Sequence, residues 1–164
     1  MNRPAFIALN ALFLFLCASM YLGTGWSLWL FSFQVAPHLT PANYYYAFIP
    51  QVLAAAKFFT YMTALMGVSG LLLAWQLRHD KGKWAPILTM VAVAAATWLT
   101  LQYIFPYNHT LEANVQDMAL LQATLTKWIA LNKVRISLWT VQWLAMGWLF
   151  FGWAVAAMDR NQHG

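Results

Sequence analysis

Charge and cysteine are both scarce in this sequence. Only 8% of its 164 residues are charged, whereas an ordinary soluble domain has about 25% charged residues. The hydrophobic share is 62%, and a chain of this length cannot bury that much apolar surface in a water-soluble core. The single cysteine, Cys17, excludes an internal disulfide and a paired-cysteine redox or zinc site. The composition therefore predicts a protein whose solvent is partly lipid.

The excess of basic residues does not indicate nucleic-acid binding. The formal net charge is +5, from nine Lys and Arg against four Asp and Glu. In a membrane protein, Lys and Arg are concentrated in cytoplasmic loops because they set the orientation of the spans. We therefore expect the lipid bilayer as the main partner and no nucleic acid.

Four apolar segments are long enough to cross a bilayer as helices, which takes about 20 residues. They cover about residues 5–35, 51–77, 84–105 and 136–158. The predicted fold is an all-α membrane protein, a four-helix transmembrane bundle that forms one domain over residues 1–164. A cleavable signal peptide is the alternative for the first segment, but no convincing small-residue cleavage site interrupts its apolar run.

The loops predict the orientation of the spans. The short connection between the second and third spans, "RHDKGK", contains three cations, and Arg3 and Arg160 lie near the two ends of the chain. By the positive-inside rule, this connection and both termini face the cytoplasm. The other two connections then lie outside, and we predict a bacterial inner membrane as the location.

The second external connection is expected to contain a helix of its own. Asn108 follows Pro106 and can cap that helix, and Glu112 would then lie in its first turn, where the helix dipole favours a negative charge. Further on, apolar residues recur at helical spacing between polar ones. We predict an additional external amphipathic helix between the third and fourth spans, which can run into the fourth span with a bend near residues 124–126.

Polar side chains gather near the external ends of the four spans. Lys57 precedes Leu77 by about 20 residues, which is roughly 30 Å of helix and the thickness of the hydrocarbon core. An ionisable side chain at such a depth costs considerable free energy unless it is paired or hydrated, which makes it a candidate for function. The other polar residues expected at this depth are Gln34, His38, Gln102, Tyr103, Asn108, His109, Asn132, Lys133 and Arg135.

One face of the fourth span combines aromatic rings with polar groups. A flat aromatic molecule could stack on its Trp rings and place an oxygen atom at Arg135. The alternative is that the cations and Trp residues only anchor the helix among lipid headgroups, as they commonly do at helix ends. The residues that share this face are Trp128, Asn132, Arg135, Trp139, Gln142, Trp143 and Met146.

A divalent metal site is a further alternative. The motif "HTLE" places His109 and Glu112 one helical turn apart, and His38 could complete a set of three ligands. An isolated HxxE pattern is common by chance, however. We therefore predict neither a metal nor another cofactor.

Three stretches of the sequence carry a family resemblance. "IPQVLAAAKFF" opens the second helix, "FPYNHTLEA" follows the third, and "WIALNKVRISLW" leads into the fourth. They are similar to the anthrone oxygenase-like family of small four-helix membrane proteins. The family pattern is P-x-N after the third helix, followed by Trp, Asn and Arg on the way into the fourth. The matching residues are Pro106, Asn108, Trp128, Asn132 and Arg135.

The resemblance implies a cofactor-independent oxygenase that uses dioxygen to convert an anthrone into an anthraquinone. Such a reaction needs a base to remove a proton and groups that hold the resulting oxyanion. Under this resemblance, His109 or His38 is the expected base, and Arg135, Asn132 and Asn108 are expected to hold the oxyanion. The residues expected to bind the substrate are Lys57, Gln102, Tyr103, Trp128 and Trp139.

Two classes of function therefore stay open. The first is an oxygenase, or a binder, of a small apolar aromatic or quinone-like molecule in a polar pocket at the external side of the bundle. The second is a non-enzymatic accessory subunit that docks its apolar faces on a larger membrane complex. A homo-oligomer is compatible with both classes.

Overall fold

The computed structural model describes residues 3–162, and their backbone is almost entirely helical. Four long helices follow one another: α1 (Arg3–His38), α2 (Tyr44–Gln76), α3 (Lys81–Glu112) and α4 (Met118–Gln162). No strand occurs within residues 3–162. The predicted all-α fold with four helices is therefore confirmed.

All four helices are long and apolar enough to cross a membrane. Many of their large apolar side chains face outward: Val68 on α2 and Trp148 on α4, for example, are 69% and 72% exposed. Large exposed hydrophobic surfaces mark regions that contact lipid or other apolar partners. The outer surface of the bundle thus fits the membrane character that the composition predicts.

The helices extend beyond the apolar segments seen in the sequence. α2 begins at Tyr44, α3 continues to Glu112, and α4 begins at Met118. Hydropathy marks only the residues that suit hydrocarbon, whereas backbone hydrogen bonding carries a helix into polar sequence until a turn ends it. Such a turn follows α3, where Asn114 has a φ of 54°, a conformation that asparagine adopts more readily than most residues.

The additional external helix is not present as a separate element. The residues from Met118 onward form the first turns of α4, which is unbroken through residues 124–126. Asn108 does not cap a helix, because it lies within the last turns of α3, and Glu112 is the last residue of that helix. The first turn of α4 is held instead by Asp117, whose Oδ1 accepts two backbone N–H hydrogen bonds at 2.7 and 3.1 Å.

Helices that follow one another in the chain are neighbours in the bundle. α1 packs against α2 and α4, and α3 also packs against α2 and α4, so α2 and α4 face each other across the diagonal. The α2–α3 turn lies at the same end as the start of α1 and the end of α4, and we call this the terminal end. The α1–α2 and α3–α4 connections lie at the opposite end, the distal end.

Two polar side chains join the connections at the distal end. The buried Tyr44 donates its hydroxyl hydrogen to the backbone oxygen of Leu111 at 2.9 Å and accepts a hydrogen bond from the N–H of Val115. Gln122 donates from Nε2 to the backbone oxygen of Leu39 at 2.8 Å. Because buried backbone groups need partners, these bonds stabilise the two connections against each other.

Small residues allow close contact between α1 and α4 in the middle of the bundle. Gly25 is buried, and a Cβ atom at this position would lie 2.8 Å from the ring of Trp139 and 3.0 Å from the side chain of Ile136. Close helix contacts of this kind are how membrane bundles gain van der Waals packing, since lipid provides no hydrophobic drive between helices.

The middle of α2 contains a long stretch without buried residues. Ile49 and Met62 are buried, but no residue from Pro50 to Tyr61 is. The side of this stretch that faces the bundle borders a cavity instead of a neighbouring helix. This cavity is the candidate functional site.

Candidate functional site

A cavity of about 520 Å³ lies between α2 and α4 and is flanked by α1 and α3. Small-molecule sites usually have volumes of about 300–1,000 Å³. Along α4 the cavity reaches from Trp128 to Gln142, roughly 20 Å of helix. It opens to the surface beside α2, because Gln51 and Thr60 line it and are also exposed.

Aromatic rings form much of the cavity wall. Tyr21 of α1 stacks on Phe59 of α2 with 4.6 Å between the ring centroids, and the centroid of Trp139 on α4 lies 4.8 Å from that of Tyr21. The Tyr21 hydroxyl group is held by hydrogen bonds to the backbone oxygen of Phe59, at 3.0 Å, and to Oγ1 of Thr63. Rings fixed in this way favour a flat, apolar ligand. Phe48, Phe105 and Trp128 complete the aromatic part of the wall.

The two flanking helices are both widened beside the cavity. α1 is π-helical over Leu28–Ser32, and α3 is π-helical over Thr100–Ile104. Both segments contribute residues to the wall. A π-segment inserts one extra residue into a helix without breaking it, and such segments occur frequently at functional sites.

Among the described residues that line the cavity, Arg135 is the only one with a charged side chain. Its Nη1 lies 3.4 Å from Oγ1 of Thr100, its Nη2 donates to Oδ1 of Asn132, and its guanidinium carbon lies 4.7 Å from the ring centroid of Trp139. Its Nε is buried and has no hydrogen-bond partner in the structure. Nε is therefore the one guanidinium nitrogen of Arg135 that makes no hydrogen bond to the described residues.

Within residues 3–162, no acidic side chain pairs with Arg135. The chain contains four acidic residues, and the one ion pair within residues 3–162 joins Glu112 to His109, at 3.6 Å. Keeping a guanidinium out of water without a counterion is energetically unfavourable. An anionic or strongly polarised oxygen atom in the cavity would lower this free energy through a charge-assisted hydrogen bond.

Two asparagines hold the side chains around Arg135. Asn132 is fully buried and donates from Nδ2 to the backbone oxygen of Trp128 at 2.8 Å, which leaves its Oδ1 for Arg135. Asn108 accepts a hydrogen bond at Oδ1 from Nε1 of Trp128, at 2.7 Å, and so joins α3 to α4. The structure thus brings together five of the residues that the sequence predicts for the site: Asn108, Trp128, Asn132, Arg135 and Trp139.

Gln142 was not among the predicted site residues, although it lines the cavity. It is 1% exposed, and its Oε1 has no hydrogen-bond partner. The helical pattern places Gln142 on the same face as Arg135, but the pattern does not separate a cavity residue from one that only joins helices. Tyr21 and Phe59 have no sequence signal at all, because they lie in uniformly apolar stretches.

The remaining predicted site residues lie away from the cavity. All of them are exposed, and none lines its wall. Within residues 3–162, no three His, Cys, Asp or Glu side chains are grouped closely enough to hold a metal ion. These outlying residues are His38, Lys57, Gln102, Tyr103 and His109.

Comparison with known proteins provides no relative from which a function could be transferred. No family model, no curated protein and no solved structure matches the chain.

Proposed function

We propose that this integral membrane protein binds an aromatic molecule with an oxygen acceptor, such as a quinone carbonyl or a phenolate, in the cavity between α2 and α4. The observation that carries the proposal is that, among the described residues, Arg135 has neither a counterion nor a hydrogen-bond partner for its Nε. Its side chain is partly buried, with a buried Nε that makes no hydrogen bond and, within residues 3–162, no acidic partner, and it lies in the wall of an aromatic cavity.

The chemistry of the wall supports a ligand of this class. An oxygen atom of the ligand would accept a hydrogen bond from Nε–H of Arg135. Hydrogen bonds to charged groups contribute about 1.5–3 kcal/mol of stabilisation. The rings of Trp139 and Tyr21 offer planar surfaces beside that oxygen. Oδ1 of Asn132 accepts a hydrogen bond from Nη2 of Arg135. This contact orients the guanidinium, including its Nε–H, before the ligand binds.

Binding is better supported than the oxygenase turnover that the family resemblance implies. Arg135 is suited to hold the enolate that an anthrone forms when it loses a proton. However, His38 and His109, the expected bases, do not line the cavity, and the described residues that do line it include no His, Lys, Asp or Glu. We therefore propose binding of the ligand and not its oxidation.

We also infer that the four helices span the membrane with the terminal end in the cytoplasm, which in a bacterium makes this the inner membrane. The α2–α3 turn carries Arg78, Lys81 and Lys83, and Arg3 and Arg160 lie at the same end. This distribution of cations supports the inference through the positive-inside rule. The cavity then lies toward the outer leaflet.

The proposed function predicts that the affinity for a ligand with an oxygen acceptor depends on Arg135. The probe is 2-hydroxyanthraquinone, whose visible absorption shifts when its hydroxyl group ionises, titrated into the purified protein in detergent. Arg135→Met keeps a long apolar side chain but removes the charge. It should weaken binding by roughly 10- to 100-fold, because a charge-assisted hydrogen bond is lost, and it should remove the spectral shift of the bound dye.

Lys133→Met is the matched control. Lys133 is an exposed cation two residues away, with its Nζ 5.3 Å from the ring centroid of Trp29. Its replacement should leave dye binding unchanged, and empty micelles give the background partitioning of the dye. Equal binding by the unmodified protein and by Arg135→Met, at equal helix content, would falsify the proposed function.

A further inference from the structure

The cavity contains a second unpaired polar group, at Gln142. We propose that the ligand is an elongated aromatic molecule with an oxygen acceptor at one end, bound by Arg135, and a hydroxyl group at the other end, bound by Gln142. This inference rests on the proposed function, since it assigns the far end of the same ligand.

The two unpaired groups are exceptional within the molecule. Of the buried side-chain nitrogen and oxygen atoms in residues 3–162, those without a hydrogen-bond partner are Nε of Arg135 and Oε1 of Gln142. Both side chains line the same cavity. Buried polar groups are almost always paired, so an unpaired donor and an unpaired acceptor in one cavity indicate the polar pattern of its ligand.

The position of Gln142 determines the length of the ligand. Gln142 follows Arg135 by seven residues, nearly two helical turns, which places both on one face of α4 and roughly 10 Å apart along its axis. The cavity also extends from Arg135 toward Trp128 at the distal end, but there Trp128 and Asn108 already bond to each other. The unpaired acceptor therefore indicates that the ligand occupies the part of the cavity between Arg135 and Gln142.

Several hydroxyl groups along this part of the cavity already use their hydrogen atoms. Thr60, Thr97 and Thr100 each donate to the backbone oxygen four residues earlier, at 2.8 Å. The Tyr21 hydroxyl is engaged by Thr63 and by a backbone oxygen. Oε1 of Gln142 has no donor among the described residues, and a hydroxyl group of the ligand would supply one.

The wall between the two polar groups suits an aromatic body. Trp139 lies between Arg135 and Gln142 on α4, and its ring contacts those of Tyr21 and Phe59. α3 runs antiparallel to α4 and places Thr100 beside Arg135. Its residues at the depth of Trp139 and Gln142 are therefore those one and two turns earlier, where the small Val93 and Ala96 line the cavity. Rings on α1, α2 and α4 and small side chains on α3 leave space for a flat molecule.

The test compares two probes that differ only at the far end, 4-hydroxybiphenyl and 4,4′-dihydroxybiphenyl, by calorimetric titration of the protein in detergent with a micelle blank. The unmodified protein should bind the dihydroxy probe roughly three- to tenfold more tightly, because a neutral hydrogen bond is added. About twofold is expected from statistics alone, since either end of the symmetrical probe can occupy the Arg135 position. Gln142→Leu should reduce the difference between the two probes to this statistical factor.

Controls separate this inference from the proposed function. Gln102→Leu changes an exposed glutamine outside the cavity and should leave the preference intact. Arg135→Met should weaken the binding of both probes, and a failure to do so counts against the proposed function. If Arg135→Met weakens both but Gln142→Leu weakens both equally or neither, only the hydroxyl assignment is overturned.

The stability of Gln142→Leu provides a second readout without a ligand. Because Oε1 of Gln142 has no partner, its replacement by an apolar side chain should leave the unfolding temperature unchanged or raise it. A clear fall in that temperature would mean that Gln142 is paired in the free protein, which would overturn the inference.

Discussion

Trp128 connects the two helices that carry the polar residues of the cavity. Its Nε1 donates to Asn108 on α3, and its backbone oxygen accepts from Asn132 on its own helix. Its ring makes edge-to-face contacts with Phe33 and Phe48, at centroid distances of 5.8 and 5.0 Å. Trp128 thus bonds to both asparagines, to Asn108 through its ring and to Asn132 through its backbone.

We predict that Trp128→Phe destabilises the protein although an aromatic ring is kept. Oδ1 of the buried Asn108 would lose its partner, and leaving a buried acceptor unsatisfied costs about 1–3 kcal/mol. The measurement is denaturant-induced unfolding in detergent. Trp148→Phe, at a side chain that is 72% exposed, is the control and should change the unfolding free energy by less than about 0.5 kcal/mol. Equal stability of the two variants would show that the Trp128–Asn108 bond contributes nothing.

At the residue scale, the sequence predicts which side chains share a helix face but not which face points inward. Periodicity alone places Trp128, Asn132 and Arg135 together, and the structure confirms their proximity. Asn108 and His109 are adjacent and equally polar, yet the first is buried and the second is exposed. Which of them faces the cavity depends on the rotation of α3, which its packing partners and its π-segment decide.

The contact between α1 and α4 depends on the absence of a side chain at one position. A methyl group at Gly25 would lie within 3.2 Å of three side-chain atoms, two of them in the ring of Trp139. The ring is confined by Tyr21 and Phe59, so it cannot move away freely. A change in the distance between α1 and α4 would therefore also change the shape of the cavity wall at Trp139.

Gly25→Ala is expected to lower the unfolding free energy by about 1–3 kcal/mol, as overpacking of a filled interior usually does. It should also weaken dye binding, because the displaced Trp139 ring belongs to the cavity wall. Gly23→Ala is the matched control: Gly23 lies in the same helix, and an added Cβ atom there meets nothing within 4 Å. If both variants behave alike, the close approach at Gly25 is not a constraint on the fold.

At the element scale, hydropathy locates the helices well but fails to define their ends and irregularities. The segment before the fourth span reads as a separate amphipathic helix because it mixes polar and apolar residues, yet it continues α4 without a break. The π-segment Thr100–Ile104 is also invisible in composition, since it arises from how α3 accommodates its neighbours. Tertiary packing decides both features.

The whole molecule is an antiparallel arrangement of four long helices, and this much follows from four apolar segments separated by turns. The length of α4 goes beyond what the bilayer requires. Its 45 residues correspond to about 68 Å, compared with a hydrocarbon core of about 30 Å. In a bilayer, a helix of this length would extend well past the apolar layer. Its first turns contact the α1–α2 connection through Gln122.

The proposed orientation predicts that the two ends of the bundle differ in accessibility from outside the cell. In a Cys17→Ala background, which removes the single cysteine, Gln116→Cys at the distal end should react with a membrane-impermeant maleimide in intact cells. His79→Cys in the α2–α3 turn should react only after lysis. Both positions are exposed, so burial does not explain a difference. The reverse pattern would invert the orientation, and labelling of both in intact cells would exclude a spanning bundle.

The opening beside the middle of α2 determines which ligand concentration sets the occupancy of the cavity. Between Pro50 and Tyr61 the helix has the cavity on one side and the outer surface on the other, with an opening beside it at Gln51 and Thr60. If the four helices span a bilayer as proposed, an apolar compound dissolved among the acyl chains can reach this opening by lateral diffusion, without crossing water. Occupancy then follows the mole fraction of the compound in lipid, so two compounds of equal intrinsic affinity will differ in apparent potency by the ratio of their partition coefficients.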